Sequence, residues 1–85
     1  MKKLVSVTEV EGEGLEALLE EKVFLMCANY FYIGKLVGVN STFVKLENAE
    51  IVYDTDKAGK ITNQGALPAK VWYVQTQMIE SYGAL

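Results

Sequence analysis

The chain has no histidine and no arginine among its 85 residues, one cysteine, one proline, and no apolar run of membrane-spanning length. Each absence removes a class of function. Without histidine there is no imidazole base and no histidine ligand for zinc, iron or copper. A single cysteine, Cys27, forms no internal disulfide and no thiolate metal cage, and its place in an apolar strand marks it as packing. All eight basic residues are lysines and the net charge is -3, so any nucleic-acid site works without the bidentate guanidinium contacts that phosphates favour. A bilayer needs about 20 consecutive apolar residues, and the start MKKLVSVTEVEGEG has two lysines with no apolar stretch behind them. These features lead us to expect an intracellular, cytoplasmic protein with no membrane contact.

What is present is apolar surface. Hydrophobic residues make up 51% of the sequence, more than one small domain can hide, since a chain of this length buries only about 60 to 65% of its unfolded surface. Some of that surface is expected to meet another subunit.

The apolar residues fall into strands. Residues 1–12 read as an extended lead-in containing Val5, Val7 and Val10. From Glu13 to Glu21, Leu15, Leu18 and Leu19 have helical spacing, and glutamates cluster at the opening turn, which predicts a short amphipathic helix. Lys22 to Ala28 begins the first strand, Asn29 supplies a turn, and Tyr30 to Val39 forms the second strand with apolar residues on both faces. Gly34 and Gly38 lie inside it, where glycine marks a bend or a close backbone approach. Asn40 and Ser41 turn into a long third strand, Thr42 to Tyr53. Residues 54–69 are polar and turn-rich, read as a variable loop or an extended hairpin tip, and residues 70–82 resume as two short strands with a sharp bend. The expected fold is a single mainly β domain, with a short N-terminal helix followed by a five-stranded, strongly bent antiparallel sheet.

The order of these elements, together with Leu18-Leu19-x-x-Lys22-Val23, Gly34-Lys35-Leu36-Val37-Gly38-Val39-Asn40 and Leu46-Glu47-Asn48-Ala49-Glu50, resembles the Sm-like family, including its Hfq branch. The likeness covers residues 13–82 and is nearest to small Sm-like proteins of phage or environmental origin. It implies a small barrel whose last strands pair with a neighbour, closing a homo-oligomeric ring of about five to eight subunits. It also implies single-stranded RNA binding at pore-side turns, with no cofactor and no catalysis.

Departures from the family pattern concentrate at those turns. Asn29 replaces the glycine of the first hairpin, and Asn40 replaces the usual aspartate. The base-stacking position falls on Thr42, or on Phe43 after a one-residue shift, and the asparagine that follows falls on Val44. The aliphatic-Arg-Gly pattern of the second motif becomes Val74-Gln75-Thr76-Gln77. RNA contact is therefore expected from Asn40, Ser41, Thr42, Gln75 and Gln77 at base edges, with Phe43 as the stack. Lys45 and Lys70 are the cations to look for in space. The missing arginine and the net acidity favour an alternative, an adaptor or scaffold ring that contacts proteins and binds no RNA.

Two other patterns carry less. Asp54-Thr55-Asp56-Lys57-Ala58-Gly59 opens like a calcium loop, but Ala58 stands at its fifth position and Gly65 at its twelfth. Gly59-Lys60-Ile61-Thr62 lacks the features of a phosphate loop.

Overall fold

The computed structural model describes residues 12–85, so the expected lead-in lies, apart from Gly12, outside the described residues. Six antiparallel strands follow: β1 (Lys22–Cys27), β2 (Phe31–Val39), β3 (Phe43–Thr55), β4 (Ile61–Ala66), β5 (Val71–Gln75) and β6 (Ile79–Ala84). Their order in the sheet is β4-β3-β2-β1-β6, with β5 also paired to β3. No helix among the described residues is long and apolar enough to cross a membrane.

The long strand β3 explains the topology. Its first half, Phe43 to Glu47, pairs with β5, and its second half, Glu50 to Thr55, pairs with β4. The changeover is at Asn48 and Ala49. Asn48 takes a left-handed φ of 51° and its N–H donates to the Lys70 carbonyl, while Leu67 N–H donates to the Ala49 carbonyl. Residues 67–70, with Pro68 among them, thereby step from β4 to β5.

Two irregularities bend the β2–β3 pair. Ile33 opposes Glu50 and Lys35 opposes Glu47, so Gly34 alone faces Asn48 and Ala49. A Cβ at Gly34 would lie 3.1 Å from Ala49 Cα, so a side chain there would obstruct the approach. Three residues later Val37 is the extra residue, this time on β2, before Gly38 opposes Lys45. Offset bulges of this kind increase twist and curl a sheet. The curl has a visible result: Val23, Leu25, Leu36, Val44 and Leu46 are all 0% exposed, although no α-helix among the described residues covers them. A single sheet achieves that only by folding over its own face. Cys27, Ala49 and Val74 complete this core, with Tyr32, Trp72 and Ile79 at its margin.

Two expectations are corrected. The helix expected over Glu13 to Glu21 is a single 3-10 turn, Leu15–Leu18. Nine residues are too few for an isolated α-helix in water, and Gly14 enters at φ 90° with no side-chain cap. The segment is also drawn onto the sheet, because Glu20 N–H donates to the Leu36 carbonyl and Leu36 N–H to the Glu21 carbonyl. The strand count is six, since part of the expected variable loop, 54–69, forms β4. ITNQGA has little strand pattern of its own, but the overhanging half of β3 gives its backbone a partner. The sheet does not close: β5 and β6 are joined by a 3-10 turn, Thr76–Met78, and among the described residues each has a paired strand on one side only.

Candidate functional site

The turn between β2 and β3 is built by Asn40. Its Oδ1 accepts hydrogen bonds from the N–H groups of Thr42 (2.8 Å) and Phe43 (2.9 Å), and its own N–H donates to the Phe43 carbonyl at 3.0 Å. An asparagine suits this role because its short amide reproduces a backbone acceptor two residues ahead. The amide oxygen is thus committed to the turn, and Ser41 and Thr42 are left exposed at the tip.

A second turn is fastened to the first. Thr76 N–H donates to the Thr42 carbonyl at 2.9 Å, and Thr76 Oγ1 donates to the Asn40 carbonyl at 3.3 Å. The β2–β3 turn and the bend after β5 therefore form one polar edge, although some thirty residues separate them. Phe43 directly opposes Gln75, so two of the expected contact residues share one rung of the sheet. Gln77 is exposed within the 3-10 turn. Asn40, Thr42, Phe43 and Gln75 are brought together, while Ser41 and Gln77 flank them.

Two further residues meet at this edge. Thr76 makes the clasp. Tyr73 lies two residues before Gln75 on the same face, with its ring edge-on to Phe43 (centroids 5.1 Å apart, planes at 89°). Opposite Tyr73 is Lys45, which answers the search for a nearby cation. Lys70 lies at the other end of β5, with its carbonyl bound by Asn48. Strand alternation was the available signal, because Tyr73 and Gln75 at i and i+2 must share a face.

Beside β5, a solvent-open groove of about 260 Å³ is lined by Cys27, Tyr30, Tyr32, Tyr73, Gln75 and Met78. Among the described residues no acid or lysine lines it. Burial, with a smaller contribution from the Glu80 carboxylate, pushes the Cys27 thiol above its usual range. Burial likewise raises the Tyr32 phenol, helped by Cys27 and Tyr30. Both groups are therefore neutral at pH 7.

The acidic loop is a hairpin tip. Asp56 Oδ1 accepts from the N–H groups of Ala58 (2.9 Å) and Lys60 (2.8 Å), and Gly59 turns the chain at φ 83°. Among the described residues no three His, Cys, Asp or Glu side chains cluster to hold a metal. No protein-family model and no curated protein matches this chain.

Proposed function

We propose that this chain is a non-enzymatic, cytoplasmic Sm-like subunit that assembles with copies of itself into a ring and binds single-stranded RNA at its two clasped turns. The observation that carries the reading is the junction of Thr76 with Asn40 and Thr42. It gathers amides, hydroxyls and an aromatic pair on one edge of a bent sheet, which are the groups that unstacked bases require. The bulges at Gly34 and Gly38 lie where the family bends, in support of the same assignment.

Assembly is supported by the sheet edges. Among the described residues β5 and β6 each offer an unpaired rim, and exposed rims invite pairing with another chain. Beside these rims Tyr30, Met78 and Tyr82 are large exposed apolar side chains that a neighbouring strand would cover.

The test combines sedimentation with fluorescence anisotropy of labelled oligo-U and oligo-A. A closed oligomer at micromolar concentration and salt-sensitive binding near physiological ionic strength are expected. A persistent monomer overturns the ring. An assembled ring that ignores both oligonucleotides overturns RNA binding and favours the adaptor reading, to which the net charge of -3 already inclines.

A further inference from the structure

The outer face of the sheet beside the clasped turns carries a grid of side chains from three strands. One row is Gly38, Lys45 and Tyr73; the next ends in Phe43 and Gln75. We propose that this grid is a nucleotide platform on which Tyr73 stacks a base, Lys45 binds the adjoining phosphate and Gln75 contacts the base edge. The inference rests on the RNA-binding reading and assigns the stack to a strand residue outside the turns.

The roles follow from exposure and position. Phe43 is half-buried, whereas Tyr73 is 55% exposed, so the ring offered to solvent is that of Tyr73. Phe43, edge-on at 5.1 Å, holds that ring in place, which reduces the ordering cost when a base lands on it. Lys45 opposes Tyr73, and opposed residues of an antiparallel pair have Cβ atoms about 5 Å apart on one face.

The lysine stem lies over Gly38. A Cβ built there would be 3.2 Å from Lys45 Cβ and 3.9 Å from its Cδ. Glycine at this position lets the lysine lie along the sheet towards β2, leaving the tyrosine face uncovered. An acid, Glu47, shares this face one alternation further along β3, beside Val71 rather than Tyr73; Lys35, opposite it on β2, pairs with Glu20 at 3.2 Å. A neutral aromatic plane, one adjacent cation and a neutral amide complement a base and its phosphate. Pairing of a neighbour with the rim of β5 would use main-chain groups and leave this face open, because strand side chains stand perpendicular to the sheet.

The experiment measures binding of labelled oligo-U and oligo-A, and of an abasic strand of equal length, to the full chain and three variants. Tyr73→Leu is expected to weaken both oligonucleotides by about five-fold to 150-fold, the range for removal of one base stack. Tyr73→Phe should bind like the parent, and the abasic strand should not distinguish Tyr73→Leu from it. Lys45→Gln should reduce the slope of log affinity against log salt by about 0.7 for each phosphate that is no longer neutralised. Parent-like binding of the oligonucleotides by Tyr73→Leu overturns the platform and leaves RNA binding at the turns standing. An unchanged salt slope in Lys45→Gln removes the phosphate role. Absence of binding by the parent chain itself defeats the RNA reading and the platform together.

Discussion

Gly34→Ala tests the bend at its tightest point. The new methyl would meet Ala49 Cα at 3.1 Å, Ala49 Cβ at 3.3 Å and the Glu47 carbonyl oxygen at 3.3 Å. Two of these are backbone atoms of the bulge where β3 changes partners, so they cannot swing aside as a side-chain end would. Overpacking a tight site costs about 1–3 kcal/mol. Replacing glycine also restricts the unfolded chain, which returns about 0.4–1 kcal/mol. The net expectation is a loss centred on about 1.3 kcal/mol. With a urea slope of about 1 kcal/mol per molar for so small a domain, the midpoint should fall by about 1 M. Gly83→Ala is the internal control, because its methyl would meet nothing within 4 Å, and its change should stay within about 0.5 kcal/mol. Both should be measured by urea titration at one fixed protein concentration, since assembly adds stability by mass action. Equal midpoints for Gly34→Ala and the parent, or an equal loss in both variants, would refute the account of the bend.

Two further expectations concern the first turn and the buried thiol. Asn40→Ala removes the acceptor for Thr42 and Phe43 and should cost about 1 kcal/mol in thermal unfolding. Asn40→Asp keeps an oxygen in the same place and should remain near the parent; an undamaged alanine variant would show that the turn does not depend on this amide. Stability against pH should be level from pH 7 to about 8.5 and then decline. Cys27 and Tyr32 both have folded values raised above their unfolded ones, so the unfolded chain loses these protons first as pH rises. Stability that rises with pH between about 8.5 and 10.5 would contradict that sign.

How much of this was legible beforehand depends on whether a residue acts through its own neighbours or through a distant strand. The three opening strands were legible from their apolar runs, but which face is buried was not, because both faces of β1 and β2 are apolar; Val23, Leu25, Leu36, Val44 and Leu46 form the buried one. Gly34 and Gly38 announced a bend, and they mark its two bulges. The helix misled because three leucines at helical spacing do not outweigh Gly14 at their head and the pull of Leu36 on the backbone of Glu20 and Glu21. β4 was illegible as a strand because its pairing is dictated by the length of β3. Asn40 and Gln75 were singled out by motif position, and the sheet brings them to one edge; Tyr73 and Thr76 were not, since their contacts are with Phe43, Asn40 and Thr42 across the sheet.

The split of β3 between two partners has a consequence for how this protein can vary. β4 contributes no side chain to the buried core, and residues 54–66 form an arm that hangs from the half of β3 beyond Ala49. Substitutions within that arm replace no buried side chain and no member of the clasped turns, which belong to the other half. Sequence drift and grafted segments are therefore cheapest here, and the arm is the natural place for related proteins to acquire new contacts while the rest of the sheet stays constant.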